Sequence, residues 1–126
     1  MQLSEELKEL FERYTSEYTD FIGIKLKDVN QCGVGEDCPL HLASRQGLLN
    51  DVNILLACGA SVNIKGDIGL TPLHYATAGG YLDIVKSLLK AGAIIDCKDE
   101  FGQTPLDWAR MQKQIEIVNF LDNQAM

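Results

Sequence analysis

The sequence predicts an all-α solenoid of about three helix-pair repeats, with an amphipathic helix in front acting as an N-terminal cap. Three observations carry that expectation. Pro39, Pro72 and Pro105 lie 33 residues apart in matching contexts, Cys38-Pro39-Leu40-His41-Leu42-Ala43, Thr71-Pro72-Leu73-His74-Tyr75-Ala76 and Thr104-Pro105-Leu106-Asp107-Trp108-Ala109. At the same interval Gly59-Ala60-Ser61-Val62-Asn63 recurs as Gly92-Ala93-Ile94-Ile95-Asp96. A fixed period of this length marks one supersecondary unit stacked on itself. Ahead of the repeats, Leu3, Leu7, Leu10, Phe11, Tyr14 and Tyr18 form one apolar stripe at helical spacing, and Glu5, Glu6, Glu9, Glu12 and Glu17 fall mostly off it.

The elements follow in chain order. Ser4 is placed to cap the leading helix, and Glu5 and Glu6 suit its positive end. Ile24-Lys25-Leu26-Lys27 alternates apolar and basic residues, the pattern of a half-buried extended segment. Asp28-Val29-Asn30 stands 33 residues before Ser61-Val62-Asn63, so residues 1–32 read as a degenerate leading unit that enters the stack through its ending. Three repeats follow, at 33–65, 66–98 and 99–126. In each, proline fits the first helical turn, where a missing N–H costs nothing, with Thr71 or Thr104 as the cap and Cys38 as a weaker substitute. Gly47 and Gly79-Gly80 end the first helix. The second helix carries Ile84, Val85, Leu88 and Leu89, matched by Val52, Leu55 and Leu56 one repeat earlier, and Gly59 or Gly92 ends it. The third repeat has Asp107 where the histidine belongs and Lys113 where the glycine belongs, and it closes on polar Asp122-Asn123-Gln124, as a C-terminal cap should.

Composition narrows the function classes. At 46% hydrophobic and 23% charged residues, the chain of 126 residues is of ordinary globular make-up and can bury a core. No apolar run is long enough for a membrane span. The amphipathic, acidic start gives no secretory signal, so a cytoplasmic protein with reduced Cys32, Cys38, Cys58 and Cys97 is expected. A net charge of −7 argues against direct binding to nucleic acid or an anionic membrane, while a basic protein partner fits it. Residues 1–20 hold six acids and two bases, so more than half of that surplus lies in the first 20 residues.

The motif T-P-L-H-x-A at a period of 33 resembles that of ankyrin-repeat proteins, and the resemblance covers residues 33 to about 122. It implies structural roles for Pro39, His41, Thr71, Pro72, His74, Thr104 and Pro105, the histidines bonding to the motif threonine and to backbone. It also implies a concave protein-binding surface along the β-turn tips and the exposed side of the first helices. Carried over by position, that surface holds Val34, Asp37, Arg45, Lys65, Asp67, Ile68, Leu70, Tyr75, Lys98, Glu100, Phe101, Gln103 and Met111, together with Gly35, Gln46, Ala78, Gly79 and Gln112. Val34, Ile68, Phe101 and Met111 are apolar where solvent is expected.

No catalytic residue, metal or cofactor is expected. Neither histidine sits beside a nucleophile pattern, and Gly33-Val34-Gly35 lacks the lysine and the frame of a phosphate loop. The expected function is a non-catalytic interaction module, monomeric when free. Small ankyrin proteins with a helical leader resemble bacterial immunity proteins of polymorphic-toxin systems, which implies an inhibitor that neutralises a basic toxin. Two alternatives stand beside it, an adaptor assembling a cellular complex and a metal-binding protein using Cys32, Cys38 and His41.

Overall fold

The repeat dictates two stacked rows of helices. In the computed structural model, which describes residues 4–124, the chain is all-helical among the described residues. The leading helix α1 spans Glu5–Glu17. The helix pairs are α2 (Pro39–Gln46) with α3 (Leu49–Ala57), α4 (Pro72–Gly79) with α5 (Leu82–Lys90), and α6 (Pro105–Met111) with α7 (Ile115–Gln124). The first helices α2, α4 and α6 pack in one row and α3 packs on α5 in the other, while α1 lies against α3. One core runs through the stack, from Leu7, Leu10, Phe11 and Tyr14 through Leu40, Val52, Leu55, Leu73, Val85 and Leu88 to Ile117 and Leu121. No single pair can bury its apolar face without a neighbour, which is why the core is continuous. Leu3, assigned to the apolar stripe, lies outside the described residues.

Capping chemistry sets each start. Proline occupies the first turn of α2, α4 and α6. Thr71 Oγ1 accepts the His74 N–H and Thr104 Oγ1 accepts the Asp107 N–H, at 3.4 and 3.1 Å. Cys38 makes no such side-chain cap bond. The reciprocal half of the box is intact in all three repeats: the N–H of Cys38, Thr71 and Thr104 donates to His41 Nδ1, His74 Nδ1 and Asp107 Oδ2, at 2.9, 3.0 and 3.0 Å. Asp107 thus keeps the cap of its own helix, and among the described residues it makes no bond to a later turn. On α1, Ser4 Oγ accepts the Leu7 N–H at 3.2 Å.

The ends of the first helices fall at one left-handed position, Gly47, Gly80 and Lys113, with φ of 75°, 77° and 57°. Lysine pays there for a Cβ that glycine lacks.

The leading unit joins the stack as its Asp-Val-Asn ending suggests. Asn30 Oδ1 accepts the Ser61 N–H at 2.8 Å, and one repeat later Asn63 Oδ1 accepts the Ile94 N–H at 2.8 Å. Leu26 and Val29 are buried between exposed Lys25, Lys27 and Asp28, so the extended segment is half-buried as its alternation indicates.

Candidate functional site

The tips between the helix pairs form a connected edge. Each is closed by a backbone bond across the turn: the N–H of Gly33, Gly66 and Asp99 donates to the carbonyl of Asp37, Leu70 and Gln103, at 2.8, 2.9 and 2.9 Å. Adjacent tips are tied as well. Val34 N–H donates to Asp20 O at 3.1 Å, which makes the turn after α1 a preceding tip, and Glu100 N–H donates to Ile68 O at 2.9 Å. Asp67 N–H donates to Asp37 Oδ1 at 3.0 Å.

Ile68 sits at φ 48° and ψ 27°, a left-handed conformation that a β-branched side chain adopts only against strain. At the equivalent positions stand Gly35 and Phe101, neither with positive φ. The neighbouring left-handed position is filled by Gly69 and Gly102 in the later tips and by Glu36, φ 71°, in the first.

The residues expected at these tips differ in exposure. Val34 is 79% exposed, Phe101 71% and Met111 48%, and Lys65, Asp67, Lys98 and Glu100 are exposed too. Ile68 is half-buried rather than open. Asp37 and Leu70 are corrections, because both are buried. The position just before each cap turns inward to set the helix start. Leu70 therefore points into the stack and offers only its carbonyl, which accepts from His41 Nε2 at 3.1 Å. Gln103, at the same position, is half-buried, and its carbonyl accepts from His74 Nε2 at 2.9 Å.

Asp37 is the centre of a polar cluster beneath the first two tips. Its Oδ2 accepts from Tyr75 Oη at 2.7 Å and from Arg45 Nη1 at 3.2 Å, and Arg45 Nη2 donates to Asp20 Oδ2 at 3.0 Å. The Arg45 guanidinium lies 5.7 Å from the centre of the Tyr75 ring, close enough for a cation–π contact. Burial alone would lower the Arg45 pKa, but Asp20 and Asp37 hold it above its ordinary value. Burial, and then the bond to Asp37, push the Tyr75 phenol up, so it stays a donor. Arg45 and Tyr75, both half-buried, are thus paired within the chain and line a groove between Asp20, Val34 and Asp67.

Two contributors escape sequence reasoning. Asp20 belongs to no repeat motif. Asp99, buried where the earlier repeats have Gly33 and Gly66, accepts from the N–H of Phe101 and Gln103 at 2.9 Å each and from Trp108 Nε1 at 2.8 Å. Burial opposes its charge, yet these donors, Gln103 foremost, hold its pKa below the ordinary carboxylate value. A polar residue breaking a glycine position was the available signal.

The histidines bind the stack together. Nδ1 of each accepts a backbone N–H, so the proton sits on Nε2, which donates to carbonyls one turn ahead: Ile64 and Leu70 for His41, Gln103 for His74. With both ring nitrogens engaged, His41 has none to offer a metal beside Cys32 and Cys38. Burial lowers the pKa of both imidazoles. The unfolded chain therefore binds protons more readily, and the stability that the neutral imidazoles contribute is whole above about pH 6.5 and lost as pH falls toward the depressed folded values. Between about pH 7.5 and pH 5 the urea midpoint is expected to drop, by about 1 kcal/mol or more in stability. An unchanged midpoint would mean that the imidazoles charge inside the fold at no cost.

A family model for ankyrin repeats, in three copies, matches residues 40–125. No curated protein matches the chain. No helix among the described residues is long and apolar enough to cross a membrane.

Proposed function

The chain belongs to the ankyrin-repeat family, whose repeats are protein-interaction modules, and from that premise we propose that its tip edge grips a basic protein and inhibits it. The observation carrying this reading is the pairing at the tips. Each presents one exposed acid, Glu36, Asp67 or Glu100, beside one apolar side chain, Val34, Ile68 or Phe101. Acids that stay solvated steer a basic partner, and exposed apolar side chains gain most when they are covered. Glu5, Glu6, Glu9, Glu12 and Glu17 on α1 extend the negative field. Lys65 and Lys98, also exposed, set a positive rim that selects orientation. The finer reading, an immunity-type inhibitor that covers a toxin acting on nucleic acid, rests on this acidity and on the likeness drawn from the sequence.

Affinity capture from the native cell, with mass-spectrometric identification, gives the partner. The expected result is one basic protein, captured less at high salt, whose enzymatic activity falls on mixing with the chain. Phe101→Asp is expected to weaken that binding at least about tenfold while the thermal midpoint stays within a degree or so. Two partners held at once, with neither inhibited, would replace the inhibitor by an adaptor. Full binding by the Phe101 variant would remove the tips from the interface.

A further inference from the structure

The cap of α2 breaks the pattern of the other two. Thr71 and Thr104 use their hydroxyls as caps, whereas Cys38 at the same position makes no side-chain cap bond. Its sulfur lies 3.3 Å from the Asn30 carbonyl and is in contact with Cys32 Sγ at 2.6 Å. Cys38 is fully buried and Cys32 is exposed. Two thiols are thus held together, one open to solvent and one behind it, at the base of the tip that carries Val34.

We propose that Cys32 and Cys38 are a dithiol site, oxidised to an intramolecular disulfide by low-molecular-weight disulfides such as glutathione disulfide. The exposed Cys32 thiolate attacks one sulfur of the reagent, whose S–S bond breaks and releases one glutathione thiolate. The Cys38 thiol, giving up its proton, then attacks the Cys32 sulfur of the mixed disulfide and expels the second glutathione. The two protein thiols are oxidised, one glutathione disulfide is reduced, and the two thiol protons end on the leaving thiolates. Burial, and then the contact with Cys32, push the Cys38 thiol far above its ordinary pKa, which sets Cys32 as the first attacker and Cys38 as the resolving thiol. The bridge closes the loop over residues 32–38, fixing the first tip to the start of α2. This assignment is independent of the partner proposed above.

The full-length protein is equilibrated with glutathione disulfide, its free thiols are counted, and its peptides are mapped. The expected outcome is loss of two of the four thiols, a peptide bridged between Cys32 and Cys38, and a thermal midpoint raised by about 5 °C. Cys38→Thr restores the cap used by the other repeats, so it is expected to fold and to carry glutathione stably on Cys32. A wild-type protein that also stops at the Cys32 mixed disulfide, links Cys38 to another cysteine, or leaves both thiols unreacted overturns the proposal.

Discussion

Tyr14→Ala is expected to destabilise the protein by about 4 kcal/mol, the largest loss of any single truncation in the leading helix. Tyr14 has no exposed surface. Its ring meets Tyr18 edge-on at 5.3 Å between centroids and stacks on Phe21 at 6.1 Å, so truncation leaves a cavity between α1 and the turn that follows it. Its hydroxyl donates to Asp51 Oδ2 at 3.0 Å, pinning α1 to α3, and Arg13 donates to the same oxygen. Tyr14→Phe separates the two contributions. Keeping the ring and losing the bond should cost only about 1 kcal/mol, because Arg13 still satisfies the buried carboxylate. Urea unfolding reads both variants, through a shifted midpoint at unchanged slope. If alanine costs under about 1 kcal/mol, α1 is an accessory to the fold and does not close it.

How much of this was legible in the sequence depends on how local the chemistry is. Helix starts at Pro39, Pro72 and Pro105, and ends at Gly47 and Gly80, are written within a few residues, and the period repeats them, so the pattern of helix pairs follows from spacing. The joining of the leader was legible for the same reason, since Asn30 stands where Asn63 does. Its rung to Ser61 is a contact made in three dimensions. The tip surface was harder. Asp37, Leu70 and Gln103 share a position that reads as loop because two of the three are polar. Orientation there is decided by the backbone turning into the cap, and this buries Leu70 and Asp37. Asp107 also looked like a simple departure from the motif. It keeps the cap that histidine makes and omits the bond to a following turn.

Ile68 holds a left-handed backbone, and its own carbonyl receives the next tip's N–H, from Glu100. Strain of about 1 kcal/mol persists where surrounding contacts over-determine the conformation. Here the bond to Glu100, the bond from Asp67 to Asp37 and the half-burial of the side chain supply those contacts.

Asp37→Ala is the second large effect, expected to cost about 3 kcal/mol. The carboxylate is buried and receives three donors from three separate places: the Asp67 N–H of the second tip, the Tyr75 hydroxyl of α4 and the Arg45 guanidinium of α2. Truncation orphans the first two, while Arg45 keeps Asp20. The penalty is therefore that of stranded donors and a half-paired cation rather than of a lost surface charge. Asp37→Asn, which retains one acceptor oxygen, should lose less, and combining Asp37→Ala with Tyr75→Phe should cost about 1 kcal/mol less than the sum of the single changes. Urea midpoints for these variants and the wild type test this. Strict additivity would show that Tyr75 does not depend on the carboxylate. A loss under about 1 kcal/mol for alanine would show that water replaces Asp37 freely and that the cluster is open. On the tip interface proposed above, partner affinity measured on the folded protein should fall far less for Asp37→Asn than for Phe101→Asp, since Asp37 lies beneath the tips.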